Sequence, residues 1–401
     1  MSQPVTDQEP VRLIQTADEA LGIAHAVASM AMAGVIQRDA SRQLPLAGLD
    51  YLSRQGLGGI GIPATHGGPG LSLAAQSETV RIISRVDPAL GLILLNHFSV
   101  VRLLLDRASM EQQAKLLGPV LREGQRFGSA GPDFPEEQTA PALLQDAGPG
   151  YQLDGQKIQV LGARMAHWLA IRAADRRGNL FWVVIPRNAA GLQITDDPAG
   201  FGLRSTDRVV VNLAQIPVPA VDLLPDQGLA GQPDFRKFFI RLLQAAVDTG
   251  IARAAVEDAT GFVRRFARPW VDAKTHKASE DPYTLSEFGR LYLELDAAET
   301  ALVHAAKNLD LLPSGNLDAG TSARTAALVA GARALAAETA LLAGEKLFEL
   351  SGSRSTLAGQ GFDRHWRNAR AHTLASPARR MYPDVGQHYL KVPGVIGHSW
   401  I

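Results

Sequence analysis

The sequence predicts an α+β chain that is mainly α: helices first, a small β domain in the middle, and a helical bundle last. Three observations carry this. Apolar residues recur at spacings of three and four from about Val11 to Leu121. Short β-branched and aromatic runs, punctuated by Gly and Pro, fill the stretch from about Phe127 to Leu224. Long Ala- and Leu-rich segments return from about Pro233 to Leu390. The expected domains are residues 1–124, 125–228 and 229–401.

In the first region Leu13, Ala17, Leu21 and Ala24 fall on one helical face. Leu44 to Gln55 reads as a helix stopped by Gly56, and Ala74–Val86 and Pro88–Leu105 read as two more. In the second, the run from Tyr151 to Ile158 resembles a hairpin with Asp154-Gly155 in its turn. Leu180–Ile185 and Arg208–Leu213 read as strands. In the third, Phe239–Phe266 is expected to be a long amphipathic helix. Thr284-Leu-Ser-Glu287 looks like a capping box ahead of the stripe Phe288, Leu291, Leu295, Ala298 and Leu302. Thr321–Leu350 is a further helix ending at Ser351-Gly352. No internal repeat is present.

The chain has 401 residues, 40 basic against 40 acidic, and no cysteine. The balance argues against nucleic acid or an anionic membrane as the main partner. Without cysteine there is no disulfide framework, thiolate nucleophile or Cys-ligated metal. Met1–Arg12 is polar and lacks the apolar run of a signal peptide. The longest uninterrupted apolar stretch, Ala89–Leu95, is far short of the ~20 residues that span a bilayer. A soluble, cytoplasmic protein with no membrane partner is expected.

Several motifs fail. Gly56-Leu-Gly-Gly-Ile-Gly61 matches the dinucleotide fingerprint in letters, but a helix precedes it and Pro63 follows, where a strand and a helix are required. His365 and His372 can share a helical face with Asn368, and the pattern reads as buried polar contacts rather than a metal site. Metalloprotease, P-loop and nucleophile-elbow spacings are absent.

Other segments are informative. The loop Gly56 to Ser72, the β segment Gly150 to Lys157, and Gly200-Phe-Gly-Leu-Arg204 followed by Ile216-Pro-Val-Pro219 resemble, in order, the acyl-CoA dehydrogenase superfamily. Asn96-His97-Phe98, Arg268-Pro-Trp270 with Ala278 to Tyr283, Phe348 to Thr356, and His365 to Thr373 are more similar to its flavin-dependent monooxygenase branch, of the dibenzothiophene monooxygenase and sulfur-acquisition type. The resemblance covers roughly residues 40 to 390. It implies the acyl-CoA dehydrogenase fold: an N-terminal helical domain, a middle β-barrel-like domain and a C-terminal four-helix bundle. The glutamate base that acyl-CoA dehydrogenation needs falls at Ser376, whose hydroxyl is not a competent base unaided.

The resemblance implies a homotetramer, built as a dimer of dimers, that takes reduced FMN by diffusion from a separate reductase. It then transfers one oxygen atom from O2 to a small organic substrate, organosulfur compounds included. His97 is the implied catalytic group, with His372 in support. Ser129, Leu161, Gly162, Arg268, Gly352, Ser353 and Arg370 are the implied flavin contacts, Gly352 and Ser353 reaching it across a subunit interface. The arginines 364, 367, 370, 379 and 380 form a dense cluster, read either as a charged helix face or as an anion contact. Chemical positions depart from the family pattern: Leu161 replaces a Ser or Thr, Ser129 an Asn, Pro198 a Trp, Ala375 the second histidine and Ser376 the aspartate after it. Two alternatives therefore stand beside the monooxygenase: an acyl-CoA dehydrogenase-like FAD enzyme, and a flavin-free member that acts as a binding or assembly protein.

Overall fold

The computed structural model describes residues 10–131, 142–197, 200–226, 235–312 and 318–392. Six helices come first: α1 (Ala17–Met32), α2 (Val35–Ser41), α3 (Leu46–Arg54), α4 (Leu73–Ser84), α5 (Pro88–Arg107) and α6 (Met110–Glu123). Eight strands follow: β1 (Phe127–Ala130), β2 (Leu143–Ala147), β3 (Gly150–Leu161), β4 (Trp168–Asp175), β5 (Leu180–Pro186), β6 (Leu192–Asp196), β7 (Arg208–Pro219) and β8 (Leu223–Pro225). Five more helices close the described chain: α7 (Phe235–Arg265), α8 (Pro282–Asp310), α9 (Ala319–Ser351), α10 (Asp363–Ala375) and α11 (Tyr382–Leu390).

The strands form one sheet in the order β6-β7-β3-β2-β4-β5-β8, with β1 running parallel to β4. Leu153, Val160, Ile171, Val183, Val209 and Val211 form its core. Asp154-Gly155 is not a hairpin turn. β3 runs straight through it, and the register against β7 slips there in a β-bulge. The Asp154 carboxylate accepts the Gln215 amide at 2.8 Å across the bulge, so it is occupied by the strand pair rather than by a turn. The turn lies earlier, between β2 and β3, where Gly148 takes a φ of 71°.

Two helices organise the rest. The side chain of Asp87 caps α5 by accepting the amides of Ala89 and Leu90, and Pro88 presets the first turn. α7 is buried almost all round between α4, α5, α8, α9 and α10. It is therefore not amphipathic as expected, because a helix packed on every side needs no polar face. By averaged hydropathy α5 and α9 are long and apolar enough to cross a membrane, which the single-stretch reading missed. Yet 83% and 61% of those windows are buried within the protein. In both, small and aliphatic residues serve helix–helix packing; a buried Leu contributes roughly 1.5–3 kcal/mol.

Two local expectations shift. In α1 the buried face is Ala20, Ile23, Ala24, Val27 and Ala31, while Leu13 precedes the helix and is exposed. The cap of α8 is Asp281, whose carboxylate accepts the Thr284 amide at 2.8 Å. Pro282 fits the first turn, and Glu287 instead pairs with Lys346 at 2.8 Å. The stripe Leu291, Leu295, Ala298 and Leu302 is buried as expected.

Candidate active site

A cavity of about 1020 Å³ opens where the β sheet meets α5, α7 and α10. On α5, Leu92, Leu95, Asn96 and Ser99 face it, a set whose spacing keeps them on one side of a helix. On α7 Arg236, Ile240 and Gln244 face it, one turn apart. From α10 come Ala371, His372, Leu374 and Ala375. Ser129, Lys157 and Leu161 complete it from the sheet.

The turn after β3 is fixed by Asp207. Gly162 adopts a φ of 75°, where a side chain would be strained, and its amide donates to the Asp207 carbonyl at 3.1 Å. The Asp207 carboxylate then accepts the Arg164 amide at 3.0 Å and its guanidinium at 2.6 Å. The loop at 200–207 docks onto α10. Asn368 Oδ1 accepts the Leu203 amide at 2.7 Å, and Arg367 donates to the Phe201 carbonyl at 3.0 Å. A Cβ on Gly202 would stand 2.1 Å from the Arg367 carbonyl oxygen, so only glycine permits this approach.

The lining is basic. Arg42, Lys157, Arg164, Arg204, Arg208 and Arg236 face three carboxylates, Asp196, Asp197 and Asp207. Arg164 binds Asp196 and Asp207, and Arg208 binds Asp197. Interspersed are the apolar side chains Leu92, Leu95, Leu161 and Ile240. Gln244 Oε1 is buried on this lining without a partner among the described residues. An anion carrying a flat aromatic body fits this mixture of cations, apolar walls and an open acceptor.

His372 lines the cavity, and its Nδ1 lies 2.7 Å from Asp248 Oδ1. The other Asp248 oxygen accepts from Arg333. Burial pushes the Asp248 carboxyl up, but the Arg333 guanidinium and the hydrogen bonds from His372 and Arg333 outweigh it and hold the group below the usual range.

His97 does not face the cavity. Its Nδ1 accepts the Phe127 amide at 3.0 Å and its Nε2 donates to the Gly58 carbonyl at 2.9 Å. Burial, helped by nearby Arg126 and His167, lowers its pKa to about 4 against the pull of the Gly58 bond. The ring is neutral and fully used by backbone, so the geometry gives it a structural part rather than the catalytic one expected. The same bond explains Gly56 to Gly61: Gly58 lets the chain come close to His97, and the helix α3, not a strand, leads into the motif.

Of the expected flavin contacts, Ser129 and Leu161 line the cavity, and Gly162 sets the turn beside it. Arg268, Gly352, Ser353 and Arg370 do not line the cavity of one chain. Gly352 ends α9 with a φ of 72°. Arg370 lies over the Trp366 ring at 6.0 Å. Within the arginine cluster, Arg364 pairs with Asp258 and Arg367 with Asp39 and Asp363, so those two are held by carboxylates. His365 binds Asp258 at 2.7 Å, and no metal-binding group of side chains occurs among the described residues. Ala375 faces the cavity, Ser376 does not, and Pro198 lies outside the described residues.

Sequence reasoning missed Asp248, Arg333, Arg164, Asp207 and Gln244. Asp248, Arg333, Arg164 and Asp207 meet their partners across 43 to 124 residues of chain, and Asp248 gives no local signal in a helix that also carries Glu257 and Asp258.

Comparison with known proteins adds the rest. The acyl-CoA dehydrogenase N-terminal domain family matches residues 17–124, and the acyl-CoA dehydrogenase C-terminal domain family matches residues 242–377. The chain is 30% identical to a dibenzothiophene monooxygenase of Mycolicibacterium goodii over 90% of its own length and 92% of that protein. It is 27% identical to the probable FMNH2-dependent monooxygenase SfnC of Pseudomonas putida, covering 92% and 94%. In structure it is similar to TdsC of Paenibacillus sp. A11-2, solved with FMN and indole, with a TM-score of 0.90, 28% identity, and 95% and 99% coverage.

Proposed function

Because this chain belongs to the acyl-CoA dehydrogenase family and its relatives along nearly its whole length are monooxygenases, we propose that it is a reduced-FMN-dependent monooxygenase acting on an apolar organic substrate of the aromatic organosulfur kind. The observation that carries this reading is the cavity itself: cations in excess, apolar walls, and His372 as the one histidine on its lining among the described residues. When bound, reduced FMN would supply the two electrons that activate O2, from which the transferred oxygen atom comes.

The chain's residues do the rest. The phosphate is held among Arg42, Lys157, Arg164, Arg204, Arg208 and Arg236. Ser129 offers a hydroxyl. Leu161, where a hydroxyl is usual, widens the apolar wall formed by Leu92, Leu95 and Ile240, and this wall excludes water and seats an aromatic substrate. His372 exchanges a proton at Nε2. Ser376 lies away from the cavity and supplies no base for thioester dehydrogenation.

In this reading a separate reductase delivers reduced FMN by diffusion, and the enzyme works in the cytoplasm as a homotetramer. Exposed Trp270, Val271, Tyr283 and Leu293 support the assembly. Arg268, Gly352, Ser353 and Arg370 would then complete the site of a partner copy.

The test is anaerobic titration with reduced FMN, followed by 18O2 and dibenzothiophene, with a medium-chain acyl-CoA as control. One labelled oxygen in the product supports the reading. No binding and no labelled product overturns it, and dye reduction by the thioester would replace it with a dehydrogenase.

A further inference from the structure

Asp248, Arg333 and His372 come from three helices, α7, α9 and α10, and meet in the bundle core. Asp248 and Arg333 are 0% exposed. An ionised carboxylate only accepts hydrogen bonds, so the contact of 2.7 Å to His372 places the imidazole proton on Nδ1. Nε2 is then the ring nitrogen without a protein partner among the described residues, on a side chain that lines the cavity. We propose that Asp248, clamped by Arg333, is a positioning residue that holds His372 in the tautomer with Nδ1 protonated and the Nε2 lone pair turned to the cavity.

Three points argue for this. Asp248 and Arg333 cancel in charge, so the imidazole faces a neutral pair. A proton accepted at Nε2 makes an imidazolium, which the Asp248 carboxylate stabilises. Secondly, as a stability device a buried ion pair is poor, since well-packed apolar residues do as well or better. Arg333 also leaves Nε and its second terminal nitrogen without an acceptor among the described residues. Thirdly, His372 is the one histidine on this lining among the described residues: Ala375, one turn on, has no polar atom, and His97 is bound at both nitrogens away from the cavity. The step assigned to His372 is proton transfer alone. An O–H or N–H bond of the occupant breaks, Nε2–H forms, and the proton returns the same way. The inference rests on the proposed function for the identity of the occupant, but the tautomer does not depend on it.

The test is magic-angle-spinning NMR of the full chain labelled with 15N at histidine, without flavin, using His372→Gln to assign the signal. The expected wild-type spectrum has Nδ1 protonated and Nε2 unprotonated. In Asp248→Asn the single carbonyl is taken by Arg333, so the amide NH2 faces His372 and drives the proton to Nε2; Asp248→Glu restores the wild-type pattern. With reduced FMN and substrate, Asp248→Asn is expected to lower kcat by about 100-fold while reduced-FMN affinity is unchanged. A wild-type His372 protonated at Nε2 overturns the proposal, and that measurement stands even if Asp248→Asn fails to fold. A folded Asp248→Asn with an unchanged His372 signal also overturns it. The expected tautomer without any oxygenation product would remove the proposed function and leave the positioning intact.

Discussion

The imidazole of His97 donates to the carbonyl of Gly58 at 2.9 Å, tying the core helix α5 to the turn that follows α3. The same ring accepts the Phe127 amide and so anchors the first strand of the sheet. Replacing it by alanine leaves a buried carbonyl and a buried amide unpaired and opens a cavity. His97→Ala is expected to lose about 2–4 kcal/mol of unfolding free energy. Urea denaturation measures this. Reduced-FMN affinity of the variant, read well below its unfolding midpoint, should change less than about threefold, because His97 does not face the cavity.

The same ring sets a pH dependence. Its folded pKa of about 4 lies below the ordinary 6.5, so the unfolded chain takes up this proton first as the pH falls. The contribution of neutral His97 is complete above about pH 6.5 and is lost progressively toward pH 4. The linkage amounts to roughly 3 kcal/mol. Comparing wild type with His97→Gln isolates it: the difference in unfolding free energy between the two should shrink as the pH drops from 7 to 4. A difference that stays constant would mean that the folded ring titrates normally.

How far the sequence reveals this molecule depends on the range of each interaction. Helices such as α3, α5 and α9 are legible because spacing and caps are local, and Asp87-Pro88 and Ser351-Gly352 mark ends within a few residues. The Asp154-Gly155 bulge is misread because its letters also suit a turn. What decides between them is the pairing with β7 about sixty residues later. The site divides the same way. Ser129, Leu161 and His372 stand in recognisable segments and do line the cavity. His97 stands in an equally recognisable segment, yet its ring turns to Gly58 and Phe127, and no local pattern encodes a ring's direction. Asp248 and Arg333 are 85 residues apart and were invisible for that reason.

Leu161 tests whether the altered lining weakens the cofactor site. Leu161→Ser places a hydroxyl on the cavity wall beside the Gly162 turn. One added hydrogen bond contributes about 1 kcal/mol, so reduced FMN should bind roughly five- to tenfold tighter. Anaerobic fluorescence titration reads this directly. The opened volume should also weaken retention of a large aromatic substrate and raise its KM.

Gly202 tests the docking of the 200–207 loop. Gly202→Ala would set a methyl group 2.1 Å from the Arg367 carbonyl oxygen and 2.9 Å from Ala371 Cβ. The loop must therefore lift from α10, breaking the bond from the Leu203 amide to Asn368. A loss of about 1–3 kcal/mol in stability is expected. Because Leu203 and Arg204 line the cavity, reduced-FMN affinity should fall with it. A thermal melt and the same titration check both. Normal affinity in the folded variant would show that this loop is not part of the binding wall.

Leu293 on α8 is 72% exposed, and Trp270 in the preceding connection is 77% exposed. In the proposed tetramer another subunit covers these side chains. Leu293→Glu puts a charge on that face while leaving the buried stripe Leu291, Leu295 and Ala298 untouched. In the proposed tetramer the charge has no partner, and light scattering should show a dimer or monomer of unchanged helicity. Arg268 lies two residues from Trp270 and away from the cavity of its own chain. If it serves a partner's site, the smaller species should bind reduced FMN at least tenfold more weakly, and Arg268→Ala should do the same without changing the mass. A smaller species that keeps full affinity would confine the cofactor site to one chain and remove Arg268 from it.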